Sequence, residues 1–186
     1  MRFIAKIETG DADTADAQED GDYPFFVRSP TIERINRYTF DCEAVLTAGD
    51  GAGVGKIYHH FTGQFCAHQR VYIFSDFRDI SGRFFYHYLV ASFHKVALEG
   101  GAKSTVDSLR RPLIANFWMT IPTHGEQADI INAVDEMDDT FNRLVAQAES
   151  GIALLQERRA ALISAAVTGK IDVRSLVTAI TAQEAA

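Results

Sequence analysis

Two stretches crowd together residue types that can do chemistry: Gly49-Asp50-Gly51-Ala52-Gly53-Val54-Gly55-Lys56-Ile57, and the group His59, His60, Cys66 and His68. A glycine run ending in lysine is the material of a phosphate loop, whose backbone N–H groups cradle phosphate while a following hydroxyl holds Mg²⁺. That loop needs glycine five positions before the Gly-Lys pair and Ser or Thr after it. Here those positions hold Asp50 and Ile57. The dinucleotide spacing Gly-x-Gly-x-x-Gly fails too, for want of a third glycine at the right offset. The run reads as a flexible turn between strands, and loops held on rigid sheets often carry recognition.

The histidines and Cys66 match no familiar zinc spacing, and strand alternation puts His59 and His60 on opposite faces. There is no Gly-x-Ser-x-Gly elbow, no helical His-Glu-x-x-His, no Asn/Asp-Pro-Pro-Tyr-like motif and no glycine-rich S-adenosylmethionine loop. An enzyme reading rests only on the near-miss loop and stray histidines.

Charge points elsewhere. The net value is −7, which taken alone argues against a polyanionic partner, because phosphate binding is driven by Lys and Arg. The distribution is uneven. Residues 1–55 carry five basic and eleven acidic side chains and residues 123–186 carry five and ten, whereas residues 56–122 carry eight and four, with five of the six histidines. Such a basic middle can bind DNA locally, although most such blocks are solvated surface.

These residues need a frame. A chain of 186 residues with 47% hydrophobic content makes one ordinary domain plus an extra element. Two cysteines, Cys42 and Cys66, make no disulfide framework and suit a reducing interior. With neither a signal peptide nor an 18-residue apolar run, the expectation is a soluble, cytoplasmic protein. Strand signals fall at residues 2–7, 23–27, 43–47, 54–59, 65–67 with 70–74, and 117–121. Residues 11–22, acidic and polar, read as a mobile loop. Residues 81–98 carry Phe84, Tyr88, Ala91 and Val96 at roughly helical spacing and stop at Gly100-Gly101. The expected fold class is α+β, a domain with a curved, mostly antiparallel sheet followed by a long C-terminal coiled-coil helix. Tyr23, Phe25, Phe26, Phe84, Phe85 and Trp118 are assigned to the core.

After Pro122 the apolar residues step four, three, four, three: Ile130, Val134, Met137, Phe141, Leu144, Ala148, Gly151, Leu155. That is a coiled-coil seam, widened on one flank by Ile131, Val145 and Ile152. Thr123 with Glu126 resembles a capping box, and Gly169-Lys170 resembles a stop. Residues 126–168 as one helix run roughly 65 Å, longer than the ~30–40 Å a domain of this size spans. The seam needs a partner. Arg158 places a charge at a seam position, with Arg159 beside it, to pair with acids across a dimer or to meet another subunit.

The C-terminal half carries Ile121-Pro122, Glu126-Gln127, Leu154-Leu155-Gln156-Glu157-Arg158-Arg159-Ala160-Ala161-Leu162-Ile163 and Ala166-Val167-Thr168-Gly169-Lys170-Ile171-Asp172-Val173-Arg174. This succession closely resembles the conserved helical region of type I restriction–modification specificity subunits. The N-terminal half resembles one of that family's target-recognition domains. The pieces are Thr9-Gly10, Tyr23-Pro24-Phe25-Phe26-Val27-Arg28-Ser29, Leu46-Thr47-Ala48-Gly49-Asp50-Gly51, Val54-Gly55-Lys56, Ala67-His68-Gln69-Arg70-Val71-Tyr72 and Lys103-Ser104-Thr105. Full-length members carry two such domains and two conserved helices that pair antiparallel, whereas this chain has one of each.

The resemblance implies a non-catalytic subunit that needs no cofactor itself. Residues 1–122 would be the DNA target-recognition domain, residues 123–174 the helix for dimerisation and spacing, and residues 175–186 a tail. The implied partners are double-stranded DNA, modification subunits that bring S-adenosylmethionine, and a restriction subunit with its Mg/ATP; no membrane is implied. Two copies would pair through Ile130, Val134, Met137, Phe141, Leu144, Ala148 and Leu155 and read a palindromic, interrupted site. Arg28, Lys56, Lys103, Ser104, Thr105 and Arg110 are expected on phosphates, and His59, His60, His68, Gln69 and Arg70 on base edges. A rival reading stays open: a truncated or decayed subunit that dimerises or interacts without productive DNA binding.

Overall fold

The central strand is β4 (Phe40–Ala48), whose second half alternates between two apolar layers. Val45 faces one layer, and Ala44 and Leu46 face the other; in β6 (Val71–Ser75) Phe74 joins the first, and Val71 and Ile73 the second. Strands covered on both faces read as continuous apolar runs, which is why both are so plain in the sequence. In the computed structural model, which describes residues 1–99 and 108–172, four further strands complete one sheet: β1 (Lys6–Thr9), β2 (Tyr23–Phe26), β3 (Ile32–Ile35) and β5 (Tyr58–Ala67). Its order is β1-β6-β4-β5-β2-β3, antiparallel except where β2 runs parallel to β5.

The first layer packs on α1 (Gly82–Glu99). Phe85, Leu89 and Phe93 recur every four residues on its buried face, and the Phe85 ring lies 5.3 Å from Phe74. Ser81 starts the helix by accepting a hydrogen bond from the Phe84 N–H. The second layer is enclosed by the sheet itself. Tyr58 pairs beside Thr47 at the C-terminal end of β4, and the turn after Ala67 returns to the same end, where Val71 pairs with Ala48. Ten extended residues span roughly 30 Å, so β5 curls, with Gly63 at φ +130° in its course. Phe26, Phe61 and Phe65 fill the concavity at 5.4–5.8 Å from one another.

Several sequence expectations are corrected. Residues 1–5 make a turn instead of the start of β1. Residues 54–57 belong to the turn before β5. Residues 117–121 form no strand, because they lie on α1 without a neighbouring strand: Phe117 packs edge-on against Phe93 at 5.1 Å, and the Thr120 N–H donates to the Tyr88 hydroxyl. Trp118 is no core residue, at 90% exposed. Residues 11–22, expected as a bare loop, contain a 3₁₀ turn at Thr14–Asp16 capped by Asp13. The short edge strand β3 and α2 (Arg111–Ala115) carry too few residues to show a period.

The chain divides into a compact unit, Met1–Ala133, and a second beginning at Val134, with α3 (His124–Val167) contributing to both. Glu126 Oε2 accepts from the Thr123 N–H and hydroxyl at 2.9 and 2.8 Å, closing the expected capping box. The next residue, Gln127, is 2% exposed and fully engaged. Its Oε1 accepts from the Ser81 N–H at 2.9 Å, and its Nε2 donates to the Asp79 and Pro122 carbonyls at 3.0 Å. Ile131 packs on the α1 layer. Within the second unit, Met137, Phe141, Leu144 and Leu155 stay 54–65% exposed. The Gly169 and Lys170 N–H groups close the helix on the Ala166 and Ala165 carbonyls. No helix among the described residues is long and apolar enough to cross a membrane.

Candidate functional site: a loop cluster around Asp50

Curling of β5 brings five segments to one end of the sheet, and backbone hydrogen bonds tie them together. The Gly49 N–H donates to the Arg70 carbonyl at 2.7 Å, Gln69 to Ala12 at 2.9 Å, His68 to Phe26 at 2.9 Å, and Leu109 to Gly49 at 2.8 Å. The turns after β1 and β2, the glycine-rich β4–β5 loop, the β5–β6 hairpin and residues 108–110 thus share one surface. Gly53 lets two of them touch: a Cβ there would lie 2.6 Å from the Arg28 carbonyl.

Asp50 is the hub. Its Oδ1 accepts from Arg28 Nη1 at 2.8 Å, and its Oδ2 lies 3.8 Å from Arg70 Nε. The Asp50 side chain is 20% exposed, against 44% for Arg28 and 64% for Arg70, so the carboxylate sits below two solvent-facing guanidinium groups. A long, exposed ion pair of the Arg70 kind contributes little, which leaves that guanidinium able to take an incoming acceptor. Gln69 Nε2 donates to Asp13 at 3.1 Å. Lys56 stands exposed on the glycine-rich loop, and Arg110 stands exposed beside the Ser108–Asp50 bridge.

The histidines separate. His68 is 3% exposed, and its Nδ1 accepts from the Arg70 N–H at 3.0 Å, so the ring holds the hairpin from below. Burial, helped by the charge of Arg28, lowers its pKa. His59 packs its ring 5.2 Å from Phe26 beneath the same loops, 3.4 Å from the Ser29 carbonyl, and burial lowers its pKa as well. His60, on the opposite face of β5, pairs with Glu43 at 2.9 Å and neighbours Tyr86 of α1. It is not part of the cluster. Lys103, Ser104 and Thr105 lie outside the described residues. Among the described residues no group of three His, Cys, Asp or Glu is arranged to hold a metal.

The structure places Arg28, Lys56, Gln69, Arg70 and Arg110, all named from the sequence, on these neighbouring loops; the part played by Asp50 was missed. The signal was weak: an acid inside a glycine run, whose partners lie 22 and 20 residues away.

Cations and amides displayed on tethered loops, above a half-buried carboxylate hub, make a surface for binding. The chain belongs to the type I restriction modification DNA specificity domain family, whose model matches residues 4–153. It is 32% identical over 168 residues to the type I restriction enzyme EcoDI specificity subunit of Escherichia coli, covering 90% of this chain and 37% of that one. The solved S subunit of a type I restriction–modification system from M. genitalium superposes with TM-score 0.61 at 14% identity, over 78% of this chain and 39% of its own. A structure reported for complex assembly and conformational transition of the type I R-M system gives 0.64 at 18%, over 88% and 43%. At these identities the structural likeness is one of fold. The chain spans well under half the length of each of these relatives.

Proposed function

We propose that this chain is a non-catalytic DNA-recognition unit of a type I restriction–modification complex, in which residues 1–122 dock on duplex DNA and residues 123–174 pair with a second copy and set the spacing. The observation that carries this reading is the convergence of Arg28, Lys56, Gln69, Arg70 and Arg110 on one tethered surface. Arg28, Lys56, Arg110 and the Lys103-Ser104-Thr105 group serve phosphates, fixing register. Arg70 and Gln69 reach base edges, since a guanidinium fork suits G and a carboxamide suits A in the major groove. Modification subunits carrying S-adenosylmethionine dock on the helix, and a restriction subunit with Mg/ATP joins them. Two identical units about a two-fold axis read an interrupted inverted repeat.

The net charge of −7 favours the rival reading, an interaction protein without productive DNA binding. One experiment separates the two: selection of duplexes from a random-sequence library by the purified chain, alone and with its modification subunit. Enrichment of an interrupted inverted repeat supports recognition. Self-association without any enriched sequence supports the rival.

A further inference from the structure

The exposed face of α3 carries its own instructions for pairing. In heptad terms Val134, Phe141, Ala148, Leu155 and Leu162 hold one seam position, and Met137, Leu144, Gly151, Arg158 and Ala165 hold the other. Asp138, Val145, Ile152 and Arg159 run along one flank. Charge is segregated along the helix: Asp135, Glu136, Asp138 and Asp139 precede the middle, and Arg158 and Arg159 follow it. Among the described residues neither Asp138 nor Arg159 has an ion-pair partner within the chain.

We infer that the occupant of this face is a second α3 laid antiparallel in one register, with Ala148 facing Gly151 at the two-fold axis. The inference rests on the self-pairing reading above and adds which residues meet. Antiparallel helices bring one seam position against the other, and like flank against like flank. With Ala148 against Gly151 of the second copy, Leu144 meets Leu155 and Met137 meets Leu162. The one charged seam residue, Arg158, then lies over the one aromatic, Phe141, a cation–π contact that keeps the guanidinium from being stranded. In the same register Asp138 falls beside Arg159, and Val145 beside Ile152. Each contact occurs twice, as a two-fold interface requires.

The alternatives lose these matches. A slip of one heptad sets Asp138 beside Ile152 or Ala166, and Arg158 against Val134 or Ala148. A parallel pair stacks Arg158 on its own copy and lays the acidic stretch 135–139 beside itself, which repels.

The test is sedimentation equilibrium of the full chain with charge reversals at these exposed positions. D138R and R159D each weaken self-association about tenfold, because each creates two like-charge pairs. Mixing the two singly reversed chains restores association to within about threefold of the unmodified protein, since each mixed pair regains both opposite-charge contacts. A general loss of helix would not be rescued by mixing. If the unmodified chain dimerises but the mixture stays as weak as the single variants, this register is wrong and self-pairing stands. If the unmodified chain remains a monomer, self-pairing falls and the register with it.

Discussion

Asp50 sets the character of the loop surface by sitting between Arg28 and Arg70 without neutralising their exposed faces. Its own charge opposes an approaching phosphate, so removing it and removing a cation have opposite effects. Lys56→Ala, at a cation assigned to phosphate, weakens binding to any duplex and lowers the slope of log affinity against log salt by about one. Asp50→Asn strengthens generic duplex binding at low salt, because one opposing charge is gone. Fluorescence anisotropy across a salt series reads both. An unchanged slope in Lys56→Ala rules out a phosphate contact for that residue. If Asp50→Asn binds more weakly, the carboxylate matters for holding Arg28 in place more than for its field.

At the scale of elements, the buried Gln127 couples the first turn of α3 to the loop entering α1 through two hydrogen bonds, to Ser81 and Asp79, and makes a third to the Pro122 carbonyl. Gln127→Ala leaves the Ser81 N–H and two carbonyls without partners and destabilises the first unit by about 3 kcal/mol. Urea denaturation measures it; a loss below about 0.5 kcal/mol means water replaces the amide. The capping box and the 4-3 seam of α3 were plain from residue spacing, since both are local patterns. What Gln127 does was not legible from spacing, because what it bonds to lies 46 and 48 residues back at Ser81 and Asp79.

For the whole molecule, the two histidines beneath the loops make folding pH-dependent. His59 and His68 have pKa values below the ordinary 6.5, burial being the main cause in each. Below that value the unfolded chain takes up protons more readily than the folded one, so stability falls as pH drops from about 6.5 toward the lowered folded values. Denaturation midpoints at pH 7.5 and 5.5 show the loss. His68→Asn, which keeps an acceptor for the Arg70 N–H, shrinks it; an unchanged loss in that variant assigns the effect elsewhere.

Spacing in the sequence alone determined the elements whose partners are near in the chain: the helix of residues 82–99, the long C-terminal helix with its cap and stop, and the apolar runs of β4 and β6. It also laid an apolar stripe along the C-terminal helix, of which Met137, Phe141, Leu144 and Leu155 stay exposed. Tertiary structure decided what depends on curvature. The curl of β5 gathers loops from residues 10, 28, 50, 69 and 109 into one surface, turns His59 and His68 inward and sends His60 to the far face. It also left Trp118 in solvent, since no strand ran beside residues 117–121 to bury it. These outcomes rest on contacts between residues tens of positions apart, and local propensity carries no information about which distant backbone will be waiting.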